Sequence, residues 1–145
     1  IKNEILNYFI SYWKKRKESN NPVTFIIISH DMNVINSSCQ RVIVMYGDHI
    51  NKRGEIIEEF KAPFKFKLER NLNSHPYTKE LIEAALYFKT KKEFNSSKED
   101  QSLIVFREPN AGCSFGAICP EKTVECEQGM VLKEIESGHL SSCIK

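Results

Sequence analysis

The spacing of apolar residues changes along the first 30 positions, and each spacing predicts a different element. Within residues 1–17, Ile5, Phe9 and Trp13 recur every four positions, which is typical of an amphipathic helix. Residues 23–29 read V-T-F-I-I-I-S, an apolar and largely β-branched run without alternation. Such a run predicts a strand covered on both faces, as in the parallel sheets of α/β folds.

The pattern then alternates between further predicted helices and strands. Met32, Ile35 and Cys39 stand at helical spacing after Asp31, a suitable N-cap, so we expect a helix with Cys39 as a small hydrophobe facing a core. Residues 41–46 predict a second strand, and residues 49–52 predict its short antiparallel return after a tight turn.

The second half of the chain contains fewer regular elements. The pattern predicts short helical pieces at 55–60 and 66–72, then a helix over residues 78–88. A polar, charged stretch at 89–102 is typical of a linker. A short strand is predicted at 103–106, and the chain from residue 109 onward is loop-like and rich in Cys and Gly.

Composition excludes several classes of protein. The 145 residues are 41% hydrophobic and 28% charged, as in ordinary globular proteins, and 21 basic against 19 acidic residues leave a net charge of +2. This balance argues against a nucleic-acid partner, and the basic run at 14–17 is better explained by the helix dipole. Because the chain begins with Ile1 rather than Met, we expect it to be part of a longer protein.

Four of the five cysteines lie close together near the end of the chain. Five residues separate Cys113 from Cys119, six separate Cys119 from Cys126, and sixteen separate Cys126 from Cys143. Because intracellular thiols stay reduced, this group favours a metal site over two disulfides. Four cysteines suit zinc or an iron–sulfur cluster, and the wide, irregular spacing favours [4Fe–4S]. Zinc, disulfides and no site remain alternatives.

Two histidines have several interpretations on the sequence alone. His139 is a metal ligand, a hydrogen-bond donor to a ligand, or an exposed polar side chain. His75 precedes Pro76, which favours a turn at the start of a helix over a ligand role. Tyr77, beside them, is expected to pack that helix against the rest of the fold.

His30 occupies a position where phosphate chemistry is common. It lies between the predicted apolar strand and the N-terminus of the next helix. Ligands of open α/β sheets bind beyond the carboxyl ends of strands, and helix N-termini favour phosphate. His30 is therefore a candidate to contact a phosphate or orient a water, although a histidine that merely caps a strand end gives the same pattern.

The order of these elements around I-S-H-D resembles the last third of an ABC-type ATPase. The resemblance implies that His30 is the switch histidine, which contacts the γ-phosphate of ATP and helps position the attacking water. It also implies ATP and Mg²⁺ as cofactors of a complete subunit. The implied fold class is α/β: the C-terminal portion of a P-loop (RecA-like) ABC ATPase domain, followed by a small loop-rich four-cysteine extension.

Two later segments narrow the resemblance to the oligopeptide and dipeptide importers. N-S-H-P-Y-T-K-E-L-I-E-A at 73–84 resembles their H-P-Y-T segment, and G-C-S-F-G-A-I-C-P at 112–120 resembles their cysteine-bearing extension, which is associated with a [4Fe–4S] cluster. This chain departs from the subfamily at Ile118, where Arg is usual, and at Gln128 and Gly129, where a Pro is usual.

The resemblance implies a division of the chain into four parts. These are the end of the ATPase domain at 1–60, a helical H-P-Y-T segment at 61–90, a linker at 91–108, and the cysteine-rich extension at 109–145. The phosphate loop G-x-x-x-x-G-K-[ST], the signature sequence and the Walker B strand do not occur in the sequence. We therefore expect this chain alone neither to bind ATP tightly nor to hydrolyse it.

The implied function is that of the ATP-binding subunit of a peptide importer, in which ATP hydrolysis drives uptake. The implied partners are a second nucleotide-binding subunit, two permease subunits and, indirectly, a peptide-binding protein, at the cytoplasmic face of the membrane. The rival hypothesis is a stand-alone, metal-stabilised binding or regulatory fragment without ATPase activity. Translating the DNA upstream of Ile1 distinguishes the two.

Overall fold

The structure is a computed structural model that describes residues 2–48, 52–61, 73–90 and 112–144. The chain divides into two compact units, Ile1–Gln40 and Arg41–Lys145. The predicted pieces at 66–72 and 103–106, and most of the predicted linker, lie outside the described residues. No helix among the described residues is both long enough and apolar enough to cross a membrane.

The first unit contains the two predicted helices. Helix α1 spans Lys2–Lys17 and has four basic residues in its last turn, and helix α2 spans Met32–Ser38. The Asp31 carboxylate accepts the N–H of Val34 at 3.4 Å, which confirms Asp31 as an N-cap. Both helix predictions are therefore confirmed.

The predicted strand at 23–29 is not a strand within the part of the chain that the structure describes. Phe25 packs against α1, with its ring 5.6 Å from that of Phe9, but Ile26 and Ile28 are 89% and 96% exposed. A strand needs a neighbour for its backbone hydrogen bonds, and no described segment of this unit supplies one. The prediction of burial on both faces is therefore wrong for the described structure.

The second unit is built on one antiparallel sheet. Its strands are β1 (Arg41–Asp48), β2 (Arg53–Lys61), β3 (Lys133–Glu136) and β4 (His139–Ser141), in the order β1-β2-β4-β3. Helix α3 spans Pro76–Thr90, and two 3-10 turns span Ser114–Ala117 and Val124–Glu127. The strand at 41–46 and the helix at 78–88 are confirmed, and both are longer than predicted.

The predicted helical piece at 55–60 is wrong, because these residues form most of β2. The strand that returns along β1 begins at Arg53 in the structure, and the predicted return at 49–52 lies outside the described residues except for Lys52. The pairing register shifts between Val44 and Met45, which pair with Glu58 and Ile56, so Ile57 is an extra residue in β2. This bulge interrupts the alternation of the strand and produces the helix-like spacing of its apolar residues.

The bulge also decides what the core contains. Ile57 and Glu58 are adjacent and both buried, and Ile57 is the extra residue that the bulge leaves unpaired. The carbonyl of Ile57 accepts the N–H of Ser142 at 2.9 Å, so the last strand is joined to β2 at this irregularity. Glu58 lies opposite the buried Val44 and alternates with the buried Phe60, so the register of β2 places a carboxyl group inside the second unit.

The described fold is mixed α/β with an antiparallel sheet, and the predicted parallel sheet does not occur in the described residues. The sheet includes strands from before and after the predicted linker, since β2 pairs with β4. The P-loop fold class and the boundaries of the four predicted segments stay predictions.

Candidate functional site

The described cysteine-bearing part of the chain, residues 112–144, is called the cysteine segment. It folds back on itself at its first and third cysteines. The N–H of Cys113 donates to the carbonyl of Cys126 at 3.0 Å. Gly112 makes this approach possible, because a Cβ at this position would lie 2.5 Å from the Cys126 oxygen and 2.9 Å from Glu127 Cα. The close backbone contact brings two of the predicted metal ligands together.

The thiols of the four late cysteines are free and lie within electrostatic reach of one another. Burial raises the pKa of Cys113, and the charges of Cys119 and Cys126 raise it further. Burial likewise raises the pKa of Cys119, with further contributions from Cys126 and Cys143. Each ionised sulfur would disfavour ionisation of the next, which is the situation that a bound cation relieves.

Hydrogen-bond donors face three of these sulfurs. The backbone N–H groups of Phe115 and Gly116 hydrogen-bond to Cys113, and that of Glu121 hydrogen-bonds to Cys119; these bonds lower the pKa values of the two thiols against the effect of burial. The hydroxyl of Thr123 lies 3.6 Å from the sulfur of Cys126. Donors of this kind stabilise thiolates, so the donor set fits a metal or cluster.

The chemistry of the four cysteines suits a metal or cluster, but their arrangement in the described structure is not that of a metal site. Among the described residues, no group of three or more His, Cys, Asp or Glu side chains is arranged to hold a metal ion. The ligand role of the four cysteines therefore stays a prediction.

His75 lies at the start of α3 and is buried beside the cysteine segment. Its carbonyl accepts the N–H of Lys79 at 3.1 Å, so it begins the helix, in agreement with the interpretation of a helix-start turn. The N–H of Tyr77 donates to Nδ1 at 3.2 Å, and Nε2 lies 3.6 Å from Cys113 Sγ. Burial, together with the charge of Lys79, lowers the pKa of His75 to about 4.

Phe115 is the apolar centre of this region and is 1% exposed. Its ring centroid lies 5.3 Å from that of Tyr46 on β1 and 5.4 Å from that of Tyr77 on α3. The two tyrosine rings are themselves 4.9 Å apart in an edge-to-face arrangement. Tyr77 therefore packs α3 against the hairpin formed by β1 and β2 and against the cysteine segment. The sequence predicts that Tyr77 packs its helix against the fold but does not identify these partners.

His139 is neither exposed nor placed as a metal ligand among the described residues. Its Nε2 lies 2.7 Å from Glu58 Oε1, and both side chains are buried. The same carboxyl oxygen accepts the N–H of His75 at 3.0 Å. Burial raises the pKa of Glu58, against the opposing effects of Thr78, His139 and the His75 N–H. Glu58 thus joins the H-P-Y-T turn to the last strand.

Further polar contacts hold the cysteine segment and its neighbours on the hairpin and α3. They are Ser114 N–H to Glu55 at 3.4 Å, Lys79 to Glu121 at 3.5 Å, and Asn73 to Glu136 at 3.1 Å. The segment is therefore anchored to β2 and α3 rather than packed only on itself.

His30 lies in the first unit. Its side chain is exposed at the turn before α2, where the N–H of Asp31 donates to Ser29 Oγ at 3.0 Å. Its phosphate-contacting role stays a prediction. Cys39, expected in a core, is half-buried at the end of α2.

Comparison with known proteins covers most of the chain. Residues 70–126 match the family described as the C-terminal region of oligopeptide/dipeptide transporters. A probable peptide ABC transporter ATP-binding protein, y4tR of Sinorhizobium fredii, is 32% identical over 119 residues, which are 81% of this chain and 32% of that protein. Residues 70–126 of this chain belong to the C-terminal region of the oligopeptide/dipeptide transporter family.

Two further relatives have the same range of coverage. The oligopeptide transport ATP-binding protein OppF of Salmonella typhimurium is 30% identical over 85% of this chain and 34% of its own length. The probable D,D-dipeptide transport ATP-binding protein DdpF of Escherichia coli is 29% identical over 99% of this chain and 42% of its own. The chain spans about a third of the length of the curated relatives it matches.

The sequence interpretation missed two features. Glu58 gave no signal, because its place opposite the buried Val44 depends on the register between β1 and β2. The contact between His75 and Cys113 joins two motifs that the sequence presents 38 residues apart. Since both motifs are singled out by the family resemblance, their joint occurrence was the available clue.

Proposed function

We propose that this chain is part of the ATP-binding subunit of an ABC-type importer of oligopeptides or dipeptides. The observation that carries the proposal is the match of residues 70–126, which includes the H-P-Y-T segment, to the oligopeptide/dipeptide transporter family. Relatives that are named as ATP-binding proteins of peptide transport support it. In the complete subunit, ATP hydrolysis drives peptide uptake.

The proposed assembly follows from the same family. A subunit of the relatives' length pairs with a second nucleotide-binding subunit and with two permease subunits, and it receives peptide indirectly from a binding protein. Its place is the cytoplasmic face of the membrane. Co-purification of the complete subunit with its permeases tests this arrangement, and a complete subunit that never associates with them contradicts it.

His30 is the proposed catalytic residue that this chain contributes. Its exposed position before α2 leaves the ring accessible to a nucleotide. In the assembled transporter, we expect His30→Ala to lower ATP hydrolysis by about 10²-fold or more, the usual effect of losing a group that assists proton transfer or charge stabilisation. Asn36→Ala, an exposed change on α2, is the matched control and should leave hydrolysis unchanged.

The chain alone is proposed to lack turnover, since phosphoryl transfer depends on a phosphate loop and Mg²⁺ ligands that its sequence does not contain. The purified 145-residue chain should release phosphate from ATP no faster than its His30→Ala variant. Measurable turnover that disappears in the variant would contradict this proposal.

The four late cysteines are the proposed ligands of a [4Fe–4S] cluster, with Zn²⁺ as the alternative. The hydrogen-bond donors at Cys113, Cys119 and Cys126 and the electrostatic coupling among the thiols support a site for a bound cation. A cluster or a zinc ion bound by these cysteines would hold the surrounding loops together. Such a link is needed because the segment has few buried apolar residues.

Anaerobic purification followed by iron and sulfide analysis tests the cluster. We expect about four irons and four sulfides per chain, as the [4Fe–4S] composition requires. Cys113→Ser should lower this content, whereas Cys39→Ser, in the other unit, should not. A colourless protein that holds one zinc would overturn the cluster assignment, and the four cysteines would then be ligands of zinc.

A further inference from the structure

We propose that His75 is a positioning residue for the cysteine site. Its Nε2–H donates a hydrogen bond to the sulfur of Cys113, and this bond couples the H-P-Y-T turn to the cysteine segment. The existence of the hydrogen bond does not depend on a bound metal. Its effect on a metal or cluster rests on the function proposed above.

The direction of this hydrogen bond follows from the other side of the ring. The N–H of Tyr77 points at Nδ1 of His75 at 3.2 Å, and a backbone N–H is only a donor. Nδ1 is therefore the acceptor and carries no proton. The proton of the neutral ring then lies on Nε2, which is 3.6 Å from Cys113 Sγ. The backbone of the turn thus fixes which tautomer faces the sulfur.

The position of the ring is held on several sides. The backbone N–H of His75 donates to the buried Glu58 carboxyl at 3.0 Å, and its carbonyl accepts the N–H of Lys79. The imidazole centroid lies 5.7 Å from that of Phe115, in an edge-to-face arrangement. With 1% of its surface exposed, His75 has little freedom to turn away from the sulfur.

The consequence for a bound group is electronic. N–H donors on a coordinating sulfur stabilise its negative charge, and for iron–sulfur clusters such bonds help set the reduction potential. Cys113 already accepts hydrogen bonds from the backbone of Phe115 and Gly116. His75 adds a donor from a different element, so the geometry of the H-P-Y-T turn reaches the sulfur directly.

Two variants separate the two nitrogens of the ring. His75→Asn keeps a short side-chain oxygen that accepts the Tyr77 N–H, as in an Asx-turn, and removes the donor to sulfur. His75→Gln places an amide N–H near the position of Nε2 and removes the acceptor at Nδ1. A purely structural role as a helix start would be rescued by Asn, whereas the proposed role would be rescued by Gln.

The first measurement uses the full chain without metal. Long-range ¹H–¹⁵N NMR of the histidine side chains should show His75 as the Nε2–H tautomer with a slowly exchanging ring proton. In Cys113→Ala the tautomer should remain, and exchange of this proton should accelerate at least about tenfold, since its acceptor is lost. A protonated Nδ1, or unchanged exchange in Cys113→Ala, would overturn the proposal.

The second measurement uses the chain after anaerobic reconstitution with iron and sulfide. We expect His75→Asn to change the reduction equilibrium of the cluster about tenfold toward the oxidised form, which for one electron is about 59 mV. His75→Gln should stay close to the unaltered chain. A potential unchanged in His75→Asn, or lowered equally in both variants, would overturn the functional coupling.

The two measurements also separate the proposals from each other. If the unaltered chain takes up no iron and sulfide, the proposed cluster fails, and the NMR result still decides whether the hydrogen bond exists. If the cluster forms and the NMR signature is absent, the proposed function stands and the coupling by His75 is wrong.

Discussion

The two units of the chain differ in which of their apolar side chains are buried. In the first unit, the most apolar run of the chain leaves Ile26 and Ile28 almost fully exposed. In the second unit, Ile57 and Phe115 are each 1% exposed, although the sequence around them is polar. The difference teaches that burial is decided by available partners: the second unit supplies paired strands and a helix, and no described segment covers these side chains in the first.

The largest effect is expected from Phe115→Ala in the second unit. Removing this ring takes away its contacts with Tyr46, Tyr77 and His75 and leaves a cavity, at a cost of about 3–5 kcal/mol in the free energy of unfolding. Urea unfolding, followed by the signal of the second unit, measures it. Phe25→Ala is the matched change in the first unit, where the ring is 39% exposed, and it should cost clearly less. Equal costs would break the comparison.

A smaller effect is expected from Gly112→Ala. The new Cβ would collide with the backbone of Cys126 and Glu127, so the hydrogen bond between Cys113 and Cys126 would lengthen or break. Overpacking of this kind costs about 1–3 kcal/mol, measured by the same unfolding experiment.

Gly54→Ala is the control for this change, since nothing lies within 4 Å of a Cβ at Gly54. If both alanine variants lost the same stability, the close approach at Gly112 would not be a constraint on the cysteine segment.

The pKa values of two adjacent glutamates of β2 should be shifted in opposite directions. Burial raises the pKa of Glu58, whereas the hydrogen-bonded ion pair with Arg41, at 2.7 Å, lowers the pKa of Glu59. The contribution of Glu58 to the free energy of unfolding is fully present below the ordinary glutamate pKa. It is lost as pH rises through the raised pKa of the folded state. The contribution of Glu59 is present above the ordinary pKa and is lost as pH falls through its lowered value.

Side-chain carboxyl NMR measures both values during one pH titration. The pKa of Glu58 should lie above that of Glu59, because Glu58 faces the buried side of the sheet whereas Glu59 is paired with Arg41. Replacing Arg41 by Gln should move the pKa of Glu59 back toward its ordinary value and leave that of Glu58 in place. A shift of both would show that the two carboxyl groups share one environment.

The smallest effect on stability is expected from Ile28→Lys in the first unit. Because this side chain is 96% exposed, the change should alter the free energy of unfolding by no more than about 0.5 kcal/mol. It should nevertheless reduce self-association of the chain, measured by sedimentation, since exposed apolar side chains promote it. Unchanged self-association would show that the exposed side chain of Ile28 does not contribute to contacts between copies of the chain.

The sequence by itself determined the elements with local causes. Helices α1 and α2 follow from apolar spacing and from the Asp31 cap, and the body of α3 follows from its own apolar spacing, although the helix begins at Pro76 rather than at the predicted residue 78. The resemblance to the oligopeptide/dipeptide transporter family also came from local motifs, above all H-P-Y-T and the spacing of the cysteines. These signals need no knowledge of distant residues.

Only the tertiary structure decided the features that depend on pairing between distant segments. The strand at 53–61 exists because β1 and β4 pair with it, against a helix-like apolar pattern, and its register opposite Val44 buries Glu58. The contact of His75 with Cys113 and the burial of His139 against Glu58 arise from the same assembly. Periodicity reports what a residue does within its own element, whereas register, bulges and buried polar contacts are set by the partner that the element meets.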